Sequence, residues 1–291
     1  MNEPLIKLEQ ERDFGDIFNA TFSFFKQNFK PLMRIFLYYI IPITLVLGIV
    51  TGLYQITVME QIKNLKSNPI FLPNIGLPMI LMYLFMFLTY SLLFGTVFEY
   101  MKLYKINNGL DFKYNQVGRE LIKDARLILF TNFIYVLIII LGSIFLLIPG
   151  IYLAIALSIL LPIRIIEGKN LFEAFSRCFY LIRSNWWITF AILFILSILA
   201  TVLSQVFQMP MMVYSSINAL HTISGGAPSP NQPLVIFFTI ISSVGSIIIQ
   251  CITTISLGLQ YFNLVEKKDG TQLLSQLDTL GADETSMTNQ N

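Results

Sequence analysis

Charge is what this sequence has least of. Asp, Glu, Lys and Arg make up 12% of its 291 residues, about half of the roughly 25% usual in soluble domains. The net charge of +2 is too small to point to a nucleic-acid partner. Cysteine is nearly absent. Cys178 and Cys251 cannot support a disulfide framework, and both are expected to be reduced. The single histidine, His221, stands alone, so the clustered ligands that metal-dependent hydrolysis needs are missing. No Gly-Lys-Ser/Thr phosphate loop, Gly-x-Ser-x-Gly elbow or His-Glu-x-x-His motif occurs. No catalytic residue, metal ligand or cofactor is expected, and the chain reads as a non-enzyme. No cleavable leader is expected either. The first thirty residues are polar and aromatic, and the first apolar run, near Ile35, reads as an uncleaved anchor.

What the sequence has is apolar length. Hydrophobic residues make up 55%, and the mean hydropathy is +0.68. Runs of spanning length fall at about 35–54, 77–100, 127–148, 151–166, 187–207 and 234–257; about 20 residues cross a bilayer. The fourth is short and tied to the third through Pro149-Gly150, so the pair reads as a helical hairpin, re-entrant or tilted in part. Of the 19 basic residues, only Lys63 and Lys66 lie in the alternate loops. That asymmetry predicts six spans with both termini cytoplasmic. Treating 127–166 as one broken span would put Arg164, Lys169, Arg177 and Arg183 outside, against the same rule. The outer loops 64–78 and 209–233, rich in Pro, Asn and Gly, read as irregular connections. The tail 267–291 reads as flexible and cytoplasmic, with Leu273, Leu274, Leu277 and Leu280 as a candidate contact helix.

Between the spans, residues 13–29 place Phe14, Ile17, Phe18, Phe22, Phe25 and Phe29 at helical steps, with Asp13 as N-cap. Residues 170–186 repeat the design with Leu171, Phe175, Phe179, Ile182 and Trp186, and Asn170 and Glu173 have the spacing of a capping box. Such helices either lie in the membrane interface or pack on the end of the bundle. The two segments match at a constant offset of 157 residues, and each precedes a span running outward. This predicts an internal duplication in parallel orientation. Segment 111–126 is a weaker third amphipathic helix. The fold class predicted is all-α: a cytoplasmic amphipathic helix in 1–30, a six-helix membrane domain over 31–266 and the tail.

Two stretches, RDFGDIFNATFSFFKQNF (12–29) and LIPGIYLAIALSILLPIRIIEGKNLFEAFSRCFYLIRSNWWITF (147–190), resemble the membrane domain found in some bacterial glycerophosphodiester phosphodiesterases and in a broad set of related bacterial multipass proteins. The second is the more specific: a Pro-Gly turn, a short span, Pro162, Glu167-Gly168, then Trp186-Trp187. The resemblance covers most of 12–265. It implies a bacterial cytoplasmic-membrane protein of about six helices. It does not imply the activity, because in those enzymes catalysis belongs to a separate soluble barrel for which this chain has no room.

Polar stripes mark the last two spans. Thr239, Ser243, Ser246, Gln250 and Thr253 share one face of the sixth, and Ser197, Thr201, Ser204, Gln205 and Gln208 one face of the fifth. One reading is a polar cavity involving Thr201, Gln205, Thr239, Ser243 and Gln250, open to the outer side. The plainer reading is interhelical hydrogen bonding. Gly48 and Gly52 form a Gly-x-x-x-Gly suited to close helix packing, expected within the chain. Glu99, Arg164 and Glu167 are the ionisable residues nearest membrane depth, at the inner rim. Glu99 is expected to pair with Lys102 or Arg126, and Arg164 with Glu167; a headgroup or proton site is the sharper reading.

These readings lead to a non-enzymatic inner-membrane protein of envelope or lipid homeostasis. Its implied partners are membrane lipids and, in a scaffolding role, other membrane proteins. The alternative is a transporter or permease using the cavity between the fifth and sixth spans. An intramembrane enzyme comes last.

Overall fold

The computed structural model describes residues 5–64, 76–109, 112–145, 147–224 and 231–270. Every regular element among them is helical: α1 (Phe14–Gln27), α2 (Phe29–Tyr39), α3 (Ile41–Asn64), α4 (Leu77–Ile106), α5 (Tyr114–Phe145), α6 (Leu147–Ala156), α7 (Leu160–Pro162), a π-helical turn (Ile163–Glu167), α8 (Leu171–Ile182), α9 (Trp186–Ile223) and α10 (Gln232–Asp269). Six segments are long and apolar enough to cross a membrane: α3, α4, α5, the α6–π-turn unit, α9 and α10. In α5 only 11% of the most apolar window is buried inside the protein. An apolar surface of that extent is stable only in another apolar medium. The protein is a multipass helical membrane protein.

Helix breaks follow local chemistry. Pro42 has no N–H for the Tyr38 carbonyl, and its ring crowds that oxygen, so the chain bends at Ile40 and α2 separates from α3. The first spanning helix therefore starts at Ile41, not near residue 35. Segment 111–126 is not a separate helix. No Gly or Pro occurs from Arg119 to Leu141, so nothing stops α5, which runs on from Tyr114 to Phe145. The far connection at 209–223 is likewise helical. Pro210 sits inside α9, and ordinary helix formers follow it through Leu220. Pro149 and Gly150 lie in the first turn of α6, where a Cβ on Gly150 would come 2.5 Å from Ser143 Oγ. Close contact between α5 and α6 thus depends on the glycine. The 64–78 connection falls almost entirely, and the tail leucines entirely, outside the described residues.

α8 carries the capping box expected of it: Glu173 N–H donates to Asn170 Oδ1 at 3.0 Å and Asn170 N–H to Glu173 Oε2 at 3.3 Å. Asp13 occupies the N-cap position of α1 without a side-chain capping bond. α1 and α8 begin at Phe14 and Leu171, and the helices after them at Phe29 and Trp186. Both pairs have the same spacing in sequence. The buried face of α1 is Ile17, Thr21 and Phe24, rotated from the expected one. Phe14 and Phe29 are exposed, while Phe24 packs edge-on to Tyr104 with ring centroids 5.0 Å apart.

α10 is the central helix, packed on α1, α3, α4, α8 and α9. Every residue from Cys251 to Glu266 is buried. A buried polar chain ties the N-terminal segment to it. Arg12 N–H donates to Asn263 Oδ1 at 2.9 Å, Asn263 Nδ2 to Gln260 Oε1 at 3.1 Å and Gln260 Nε2 to Thr189 Oγ1 on α9 at 2.8 Å. Such a chain specifies register, because any slip strands a buried amide. The two ends of the bundle differ. The basic end carries α1, α8 and the turn after the π-turn; the far end carries the last turns of α3 and α9 and the first turns of α4 and α10.

Candidate functional site

At 38 residues, α9 and α10 are each roughly 57 Å long, well beyond a hydrocarbon core of about 30 Å. Towards the far end they line, together with α3 and α4, a cavity of about 880 Å³. α3 contributes Thr51, Tyr54, Gln55 and Val58, at helical steps of three, one and three. α4 contributes Met82, Met86 and Tyr90, four apart. α9 lines the cavity from Gln208 onward, where Pro210 leaves the Val206 carbonyl without its helical donor. α10 adds Thr239, Ser242, Ser243 and Ser246.

Among the described residues, no Asp, Glu, Lys, Arg or His lines this space. Five methionines do: Met59, Met82, Met86, Met211 and Met212. Among them stand hydroxyls and amides, and Gln55 Oε1 is buried without a hydrogen-bond partner. The described wall therefore carries no charge and mixes apolar with hydrogen-bonding groups. The cavity can hold an uncharged amphiphilic group. A charged one would find no counter-ion, and burial of an unpaired charge is strongly unfavourable.

The expected cavity residues divide. Thr239 and Ser243 line the cavity; Thr201, Gln205 and Gln250 do not. Thr201 and Gln205 are exposed on the outer face of α9, and the Thr201 hydroxyl donates to its own helix at the Ser197 carbonyl. Interhelical hydrogen bonding occurs beside the cavity: Ser242 Oγ donates to the Phe207 carbonyl at 2.9 Å, and Thr239 Oγ1 contacts the Gly48 carbonyl. α3 also belongs to the cavity wall, and the spacing of Thr51, Tyr54, Gln55 and Val58 carries that face in the sequence beside the Gly-x-x-x-Gly motif.

At the basic end, Glu99 is fully buried, and its Oε2 lies 3.4 Å from Lys102 Nζ, one of the two partners expected; Arg126 is not involved. Lys102 also lies 3.9 Å from Asp124. The carboxylates of Glu99, Glu120 and Asp124 approach within 4.8 Å of one another, with the Lys102 ammonium already among them as the cation. Arg164 does not pair with Glu167. The π-turn sends the two side chains apart: Arg164 Nη1 donates to Thr131 Oγ1 on α5, while Glu167 takes Lys169 at 2.8 Å, Arg177 at 3.3 Å and the Tyr261 hydroxyl at 3.0 Å. Arg177 also grips Asp269, the last residue of α10, through both Nη atoms. That Asp269 hydrogen bond, followed by the charges of Glu167 and Asp269, holds the guanidinium above its ordinary range. Beside it, burial pushes the Cys178 thiol up, so it is no nucleophile.

No family model, no curated protein and no solved structure matches the chain.

Proposed function

We propose that this is a non-enzymatic multipass protein of a bacterial inner membrane, with both termini cytoplasmic, that holds the apolar part of a lipid in its far-end cavity in the service of envelope homeostasis. The observation that carries this reading is a cavity of about 880 Å³ with no Asp, Glu, Lys, Arg or His among its described lining residues and with five methionines on its wall. Methionine adapts to irregular apolar ligands, and the volume lies within the roughly 300–1,000 Å³ of ordinary ligand sites. The charge asymmetry of the sequence supports the orientation. The resemblance of 12–29 and 147–190 to the membrane domain of the bacterial phosphodiesterases supports the compartment. α8, with Phe172 at 84% exposure, with Arg183 next to it in sequence and with Lys268 Nζ over the Tyr180 ring, is suited, together with Trp187 at the start of α9, to lie in the inner interface as an amphipathic anchor.

The test is mass spectrometry of lipids retained by the purified protein. Ser243→Trp combined with Met86→Trp fills the cavity. The reading expects a stoichiometric lipid on the natural chain and its loss from the filled variant. Equal lipid on both would overturn it.

The polar wall favours transport as a second reading, since Gln208, Asn218, Ser243 and Ser246 form a hydrophilic flank. A transport path must continue to the basic end, and there α10 is buried on every side. Thiol labelling of Ser256→Cys from the inner side decides. Labelling in a fraction of molecules supports alternating access, and complete protection leaves the lipid-holding reading.

A further inference from the structure

We infer that the methionines of the far-end cavity are a reversible oxidation site, and that turning Met86 and Met212 into sulfoxides releases the lipid. Release of the lipid presupposes the lipid-holding role and the orientation proposed above. The five methionines on the wall, with Met79 and Met209 beside them in sequence, are seven of the 11 in the chain. Leucine would form the same helices and an apolar wall, without a group that oxidants attack. No cysteine occurs among the described lining residues, so thioethers are the oxidisable sulfur there. Met86 is 39% exposed and Met212 55%, and both line the cavity as well. Their side chains are thus reached from outside the protein. Met101, on the same helix as Met86, is wholly buried. The outer end of the cavity meets water. Met59 is followed by Glu60, which is exposed, and a lone carboxylate is not left in hydrocarbon. Ser216 and Asn218 of α9 line the same end. A water-soluble oxidant arriving from outside therefore meets this wall before the core of the bundle.

The step is a two-electron transfer of oxygen from a peroxide. The thioether sulfur attacks one oxygen of hydrogen peroxide. The S–O bond forms, the O–O bond breaks, and the leaving hydroxide takes up the remaining proton as water. Sulfur is oxidised by two electrons and the peroxide is reduced by two. Two thiols reverse the step: they leave as a disulfide, and the oxygen leaves as water. The sulfoxide is polar where the thioether was apolar. An acyl chain beside it offers no donor, so in the filled cavity the S–O dipole is left unpaired. The lipid-filled state is destabilised, while the emptied cavity lets water solvate the dipole.

The experiment treats the full chain in neutral detergent with hydrogen peroxide, maps the sulfoxides by peptide mass spectrometry, and measures binding of a pyrene-labelled diacylglycerol before and after. Met86 and Met212 are expected to oxidise before Met101, and probe affinity to fall about tenfold. Methionine sulfoxide reductase with dithiothreitol should restore it. Met86→Leu combined with Met212→Leu conserves volume; it should bind the probe normally and keep it after peroxide. Met209→Leu removes a methionine that is 60% exposed and off the wall, and should give no such protection. Met86→Gln combined with Met212→Gln, whose amides imitate the sulfoxides, should bind weakly without peroxide. Met101 oxidised as early as Met86 and Met212, or probe bound equally before and after oxidation at those two positions, would overturn the inference and leave the lipid-holding reading standing. Sulfoxides at both positions in a chain that takes up no probe even before treatment would keep the oxidation site and overturn that reading, and the release of lipid with it.

Discussion

The Thr239 hydroxyl contacts the Gly48 carbonyl oxygen across the α3–α10 interface at 2.9 Å. That contact exists because Gly48 has no side chain. A Cβ there would stand 2.7 Å from Ile240 Cα, and one on Gly52 2.8 Å from Thr239 Oγ1. The Gly-x-x-x-Gly motif is thus used inside the chain.

Gly48→Ala must push backbone from backbone. The expected loss is about 1–3 kcal/mol, the usual cost of overpacking. Thr239→Val, which removes only the hydroxyl, should lose about 0.6 kcal/mol, the average for hydrogen bonds in membrane bundles. Unfolding of both variants in mixed micelles checks the order. A Gly48→Ala protein as stable as the natural chain would contradict the interface.

Arg177 fastens α8 to the end of α10. Arg177→Ala should cost about 1–3 kcal/mol, less than the roughly 3–5 kcal/mol of a fully buried pair, because water reaches Asp269. Protease should then cut 169–185 faster in inside-out vesicles. Since the folded pKa of Arg177 is raised, its contribution is complete below the ordinary arginine range and is lost only above it. Cleavage of the natural chain should therefore not accelerate between pH 7 and pH 10.

Cavity access has its own signature. Gln55→Cys and Ser243→Cys, on the cavity wall, should react with a membrane-impermeant thiol reagent added outside intact cells. Gln250→Cys, nearer the basic end and off the wall, should not. Labelling of all three at one rate would leave no bounded cavity.

Cys178 supplies a control. Its thiol is buried and pushed above its ordinary value, so it stays protonated through the neutral and mildly alkaline range. Alkylation of the folded natural chain should be slow up to pH 9 and complete only in denaturant. Fast labelling at pH 8 would mean that α8 leaves the bundle.

Spanning helices and the polar face of α10 were legible in the sequence, because both are periodic patterns along a single helix. The capping box at Asn170 and Glu173 was legible for the same reason: both partners lie within one turn. Thr239 and Ser243 reach the cavity as their stripe suggested. Thr201 and Gln205 do not, since a stripe says which residues share a face and not which neighbour that face meets. Arg164 shows the limit most sharply. A spacing of three from Glu167 suggests a pair on an α-helix, but the π-turn adds a residue and turns the two apart.

Composition and charge placement, by themselves, determined that this chain crosses a membrane several times, because transfer of apolar length and retention of basic residues act on each segment separately. Tertiary structure alone decided that α10 is the hub, that α3 and α4 complete the cavity, and that Arg164 meets Thr131 and no carboxylate among the described residues. Those outcomes depend on which helices can approach closely, and that is set by glycines, helix breaks and rotations distributed over the whole chain.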